Sequence, residues 1–341
     1  MFEKEFEMTR LNNQKIDFVV LWVDGNDPEW LKEKNKHLHL GGDTGENRFR
    51  DCDNMQYLFR GIEKFAPWVN KVFFITWGHV PTWLDISNPK IKVVKHEEFI
   101  PKKYLPTFNS NVIELNLHRI EELSDNFVLF NDDLFILKPT KEEDFFIDNL
   151  PSDTYCEYIQ LANSYNDTHY FMKANIFALI NKNFNKLEII EKNKDKFLDP
   201  KNGEFNEYTL HNMKFQKKFV GFWNFHVSQP YLKQTLKTIW DKEEEALDLA
   251  CQNKFRASTD LGIVLCRYWQ FMEGNFIPKE NDSHYFRILD DNSETTDAII
   301  NQKYQVICIN DVYDNIDFEK AKNEINEALN FILPKKSSFE K

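Results

Sequence analysis

Apolar and polar positions along the first half of the chain switch between a strand period and a helix period. Ile16 to Val23 is a short β-branched and aromatic run, closed by Asp24-Gly25-Asn26-Asp27-Pro28, a cluster that breaks both helix and strand. Lys71 to Thr76, Ile91 to Val94 and Phe127 to Phe130 repeat the strand pattern. Between them Met55, Leu58, Phe59 and Ile62 fall on one helical face, with Asp51 as candidate cap and Pro67 as stop. Ser110 is the candidate cap of a further helix, predicted to run through Leu123. Alternating strands and helices predict an α/β fold with a Rossmann-like, largely parallel sheet and helices on both faces. From about Pro151 onward helix patterns dominate, so the C-terminal portion is expected to be helix-rich.

The fourth strand carries chemistry at its end. Phe127-Val128-Leu129-Phe130 runs into Asn131-Asp132-Asp133 and resumes as Leu134-Phe135-Ile136-Leu137. Open α/β sheets bind ligands beyond the carboxyl ends of their strands, and two adjacent carboxylates there repel unless a cation or donors offset them. A hard divalent ion such as Mg2+, held with substrate phosphates, answers that need. The plainer alternative is a solvated turn, since Asn and Asp are common turn residues. Asp24 after the first strand, and Thr76 and Gly78 after the second, place further polar groups at the same edge.

Composition narrows the function classes. The 341 residues suit one large α/β domain, or a core with an appended lobe, and 31 phenylalanines supply both core and stacking surfaces. A net charge of -12 argues against wrapping nucleic acid through its phosphates, so an anionic substrate must be met by a local basic cluster. The five cysteines are dispersed, which argues for reduced thiols rather than a disulfide framework or a zinc site. No apolar stretch reaches bilayer length and the start lacks a signal-peptide plan, so a cytoplasmic protein is expected.

Two more constellations bear on an anionic ligand. Ser110, Glu114 and His118 stand four residues apart on the predicted helix and would share a face, either meeting a ligand or simply facing solvent. Arg48 and Arg50 point the same way in a segment of strand period and can clamp a diphosphate, or form surface salt bridges. His226 and Arg256 each lie among aromatics, as a buried core residue or a site residue would. Residue chemistry alone leads to a metal-assisted enzyme acting on a phosphorylated substrate, with nucleotide-linked ones among the candidates.

Taken together the motifs resemble a known family. Ile16 through Asp27 is similar to the opening block of the Stealth proteins, sugar-1-phosphate transferases of bacterial capsule synthesis. A second block runs from Arg48-Phe49-Arg50-Asp51 through Ile62 to Val69 and on to Leu84. There the chain reads Thr76-Trp77-Gly78-His79 where the family commonly has Thr-Asp-Gly-Gln or Thr-Asn-Gly-Gln. A third runs from Leu105-Pro106-Thr107-Phe108-Asn109-Ser110 through Glu114 and His118 to Asn131-Asp132-Asp133, and a looser fourth holds His226 and Phe255-Arg256.

The resemblance, which spans Ile16 to Arg256, implies a catalytic core over 14–265, and the residues beyond it, 266–334, are expected to form a helical or irregular extension packed on that core. It implies transfer of a hexose-1-phosphate, commonly an N-acetylhexosamine phosphate, from a UDP-sugar to a hydroxyl of a polysaccharide or lipid-linked saccharide, with UMP leaving. Asp132 and Asp133 would hold Mg2+, with Mn2+ as the alternative, and Arg50 and Arg256 would offset phosphoryl charge. Asp24 or His226 would take the acceptor proton. Arg48, Asp51, Thr76, Gly78, Ser110, Glu114, His118 and Asn131 would bind and orient substrate. Loose attachment to the inner face of the cell membrane, with Phe215 to Phe219 as anchor, is a further expectation. A glycosyltransferase releasing UDP and a non-catalytic carbohydrate-binding protein are the competing readings.

Overall fold

The computed structural model describes residues 15–41, 52–162, 164, 167–313 and 315–341. Four parallel strands form the central sheet: β1 (Ile16–Leu21), β2 (Val72–Thr76), β3 (Ile91–Lys95) and β4 (Asn126–Phe130), in the order β3-β2-β1-β4. Phe18 stands opposite both Val72 and Val128, which sets the register across three strands. Two short sheets lie beside this one. β5 (Leu134–Ile136) pairs antiparallel with β11 (Val306–Asn310), and β11 pairs parallel with β10 (Ser283–Arg287). The other contains β6 (Phe146–Ile147), β7 (Leu150–Asp153) and β9 (Ile277–Pro278). β8 (Gln229–Leu232) closes the central sheet as an antiparallel edge beside β4.

The unbroken apolar runs of the inner strands follow from burial on both faces, because alternate side chains enter two separate cores. Val19, Phe73, Ile75, Phe127 and Leu129 pack on one side with Ile176, Leu236, Tyr268 and Trp269, from the helices Thr168–Asn183, Lys233–Cys251 and Val264–Glu273. Phe18, Val20, Phe74, Val128 and Phe130 enter the other core, with Leu58, Phe59 and Ile62 of the helix Met55–Phe65 and Ile325 and Leu329 of Phe318–Ile332. Each of these large side chains contributes about 1.5–3 kcal/mol when fully buried. Helix Met55–Phe65 lies so close to β5 that a Cβ on Gly61 would stand 2.9 Å from the Ile136 carbonyl oxygen. Any larger residue there would push helix and strand apart.

Two predicted elements end differently. The helix from Ser110 stops at Leu115, and its cap is Asn109, whose side chain accepts from the Asn111 N–H. Asn116 ends it: its Nδ2 donates to the Val112 carbonyl and its Oδ1 accepts from Arg119, so the chain continues as a tight turn over Leu117–Arg119. The run after Asp133 does resume as a strand, but in the small sheet rather than the central one. The residues after 265 pack on the rest of the chain through β11 and through Phe318–Ile332. No helix among the described residues is long and apolar enough to cross a membrane.

Candidate active site

β1 leads by successive crossovers to β2 and β3 on one side, while β4 lies on its other side, so the strand order reverses between β1 and β4. A cleft of about 1440 Å³ opens beyond the ends of these two strands, where this topology places ligands. Trp22 and Val23 line it after β1, and Asn131, Asp132 and Asp133 after β4. Ser110, Glu114, His226 and Arg256 complete the set that the chain's motifs bring together there.

Asp133 is held from the far end of the chain. Its backbone carbonyl accepts from the Ile309 N–H at 2.8 Å, its Oδ2 accepts from Asn310 Nδ2 at 2.8 Å, and the Cys308 thiol points at the same oxygen from 3.2 Å. His226 Nε2 stands 3.7 Å from that Oδ2. Oδ1 is buried and finds no hydrogen-bond partner among the described residues. Burial works to raise the Asp133 pKa, but His226, Asn310 and Cys308 outweigh it and the carboxyl titrates below its ordinary value. Burial acts against the His226 imidazolium in turn, and the Asp133 carboxylate more than offsets it, so His226 titrates above its ordinary value. His226 also sits at φ 52°, a left-handed conformation that costs a non-glycine residue about 1–2 kcal/mol. It is maintained by a strap in which the Trp223 N–H donates to the Cys156 carbonyl and Arg267 donates to the Trp223 carbonyl at 2.8 Å.

Arg256 reaches the cleft because Phe255 stacks on Phe108 at 5.3 Å and the Phe108 N–H donates to the Lys254 carbonyl. Its guanidinium donates to Ser110 Oγ at 3.1 Å. Buried Asp260 accepts from Asn109, Asn111 and Asn253, which locks the helix start carrying Ser110 and Glu114. Burial pushes the Glu114 carboxyl up to about 7, against the opposing pull of Arg256 and His226. Acidic, imidazole and guanidinium groups thus share one cleft, a combination suited to moving a proton beside a phosphoryl group.

Other predicted residues lie elsewhere. His118 shares no cleft face with Ser110 and Glu114, because the helix ends before it. It packs on Trp240 at 5.7 Å, and burial together with Arg119 lowers its pKa to about 3. Thr76 and Gly78 build a turn in which Thr76 Oγ1 donates to the His79 carbonyl and accepts from the Gly78 N–H. Asp24 stands just beyond Val23, outside the lining: its N–H donates to His79 Nε2 and its Oδ1 accepts from the Asn26 N–H. Arg48, Arg50 and Asp51 lie outside the described residues. The cleft also contains residues that sequence reasoning passed over: Tyr285, His169, Lys173 and Asn310. For Asn310 a signal existed, since Val306-Ile307-Cys308-Ile309-Asn310-Asp311 repeats the apolar run ending in Asn-Asp seen at Phe130-Asn131-Asp132.

A mostly parallel sheet with titratable and cationic groups converging beyond its strand ends defines an α/β enzyme of the group-transfer kind. Stealth protein conserved region 1 matches residues 14–38 and conserved region 2 matches residues 48–153. The chain is 42% identical over 331 residues to the capsular polysaccharide phosphotransferase WcwK of Streptococcus pneumoniae, covering 96% of this chain and 99% of the relative. It is 36% identical over 335 residues to the receptor polysaccharide phosphotransferase WefC of Streptococcus gordonii, at 96% and 99% coverage. Among solved structures, a galactosyltransferase, LgtC, in complex with donor and acceptor sugar analogues aligns over 91% of this chain and 95% of its own, at 8% identity and a TM-score of 0.33. The chain belongs to the Stealth family and is a phosphotransferase.

Proposed function

We propose that this enzyme transfers a hexose-1-phosphate, in particular an N-acetylhexosamine-1-phosphate, from a UDP-sugar to a hydroxyl of a growing surface polysaccharide. The acceptor oxygen attacks the phosphorus that bears the sugar, the bond from that phosphorus to the bridging oxygen breaks, and UMP leaves with the electron pair. The anomeric bond stays intact and the product is a phosphodiester. Such a displacement depends on alignment and charge neutralisation rather than on a covalent nucleophile. What carries the reading is the Asp133–His226 pair, 3.7 Å apart, with Arg256 in the same cleft.

His226 in its neutral form takes the acceptor proton, a role supported by its place in the cleft, whereas Asp24 stands outside the lining. Arg256, with Arg50, offsets charge on the phosphoryl oxygens. Ser110 orients that guanidinium, and Glu114 sets the local charge. The donor set suits a divalent ion: Asp133 Oδ1 is a buried carboxylate oxygen without a hydrogen-bond partner among the described residues, and Asp133, His226 and Cys308 offer ligand atoms within 4.8 Å of one another. Burial and the neighbouring carboxylates hold the Cys308 thiol protonated, so the hard oxygens of Asp132 and Asp133 favour Mg2+ or Mn2+ over a soft ion. When bound, the ion would neutralise diphosphate charge and stabilise the departing UMP. Residues 14–265 would form the catalytic core, with 266–334 the extension that lends Cys308 and Asn310 to Asp133.

Incubation with a panel of UDP-sugars, Mg2+ and capsule oligosaccharides tests the proposal. UMP and a phosphodiester resonance by phosphorus NMR are the expected products, lost on adding a chelator. Release of UDP would overturn it in favour of glycosyl transfer, and saccharide binding without turnover would favour a lectin-like role. Membrane association at the inner leaflet would rest on exposed Phe215 with Lys217 and Lys218, because Phe219 is buried in the core. Failure to float with anionic vesicles would remove that part.

A further inference from the structure

The cleft's lining is not uniform. Phe205, Tyr208, Trp223 and Phe225 line it from the helix Phe205–Phe215 and from the strap before β8, not from the sheet. Trp223 is 36% exposed and Tyr208 47% exposed, a large aromatic area to leave in water. Tyr158 meets Trp223 at 4.7 Å and Tyr208 at 5.2 Å, both nearly perpendicular, and Phe205 meets Phe225 in the same way at 5.1 Å. Mutual edge-on packing keeps these rings from stacking on one another. The strap beneath them is rigid: the Trp223 N–H and carbonyl are both hydrogen-bonded, and Phe222 bridges to Glu157. Amide side chains of Gln160 and Asn224 flank it, one donating to the Phe222 carbonyl and the other accepting from the His226 N–H.

We propose that this aromatic cluster is the subsite for neutral sugar residues of the acceptor saccharide. The inference rests on the phosphotransferase reading and extends it to the second substrate. A pyranose presents an apolar C–H face that lies on an aromatic ring while its hydroxyls meet flanking polar groups, of which the Asn224 side chain lines the cleft. His226 links the two halves of the site, touching Asp133 at the end of β4 and lying three residues along the strap from Trp223. A nucleotide placed by the strand ends would occupy the sheet side. A saccharide on the aromatic side would then deliver its hydroxyl to the imidazole from the opposite direction, as in-line attack requires.

Calorimetric titration of the full chain decides it, with UDP and, separately, oligosaccharides cut from the producing cell's own surface polysaccharide and freed of phosphodiesters. Trp223→Ala and Tyr208→Ala are each expected to weaken saccharide binding about tenfold. Trp223→Phe should retain most of the affinity, and UDP should bind all three variants as it binds the unmodified chain. Equal thermal midpoints would show that the variants fold, and Tyr208, half in solvent, is the safer of the two positions. Unchanged saccharide affinity in both alanine variants would overturn the proposal, as would absence of saccharide binding by the unmodified chain. Loss of UDP affinity in parallel with saccharide would make the rings a nucleobase platform and overturn it as well. Failure of the unmodified chain to cleave any UDP-sugar would instead remove the donor reading and leave the binding result to judge the subsite.

Discussion

Asp153 and Asp133 are both carboxylates withdrawn from solvent in the same chain, and they are treated in opposite ways. Asp153 takes donors on both oxygens: Arg267 Nε and Nη2 at 2.7 and 2.9 Å, Gln229 at 2.6 Å and the Thr154 N–H at 2.7 Å. Nothing is left over for a ligand. Asp133 has Asn310, Cys308 and His226 crowded about one oxygen, while the other has no hydrogen-bond partner among the described residues. Burial alone therefore does not mark a functional acid. Unspent hydrogen-bonding capacity beside a cleft is what supports the role proposed for Asp133, because such a group is costly unless a ligand uses it. The two are also connected, since Arg267, clamped by Asp153, donates to the strap carbonyl at Trp223 that helps to present His226.

The contrast breaks most visibly at Asp133. Asp133→Asn should lower turnover by about 10²–10³-fold with a thermal midpoint near that of the unmodified chain, measured by nucleotide release and calorimetry. An intact rate would mean that the orphaned oxygen has no role. Asp153→Ala leaves a buried guanidinium unpaired, so urea denaturation should show about 3–5 kcal/mol of lost stability. Arg256→Lys keeps the charge but not the planar fork that meets Ser110 and, in the proposed reaction, a phosphate, so kcat/KM should drop about 10- to 100-fold with stability unchanged. A pH-dependent effect concerns Glu114. Its folded pKa of about 7 lies above the ordinary 4.5, so between those values the folded chain binds a proton that the unfolded chain releases. Stability should fall as pH rises through that window and level off above it, and Glu114→Gln should flatten that part of the slope in chemical denaturation.

The central sheet was legible because strands buried on both faces are written as unbroken apolar runs, as at Phe127 to Phe130. That Asp132, Asp133, Ser110 and Glu114 meet at one cleft was also foreseeable, since strand ends and a helix start sit at fixed places in this topology, whereas His226 and Arg256 were joined to them only by the family resemblance. His118 was not, because spacing at helical period cannot show that Asn116 spends its side chain on ending the helix. Nor was the aid Asp133 receives from Asn310, a contact made across 177 positions between two small strands that sequence pattern does not pair. Periodicity reports which face a residue occupies and is silent about which distant face it meets.

Because Asp133 is anchored by β11, the geometry of the proposed site depends on residues translated long after the acidic doublet itself. A ribosome that has passed residue 300 has produced His226 and Arg256 but not the Cys308, Ile309 and Asn310 contacts on Asp133. A premature stop before Val306 would therefore spare the acidic doublet, His226 and Arg256 while leaving a silent protein, and such nonsense alleles should behave as complete losses.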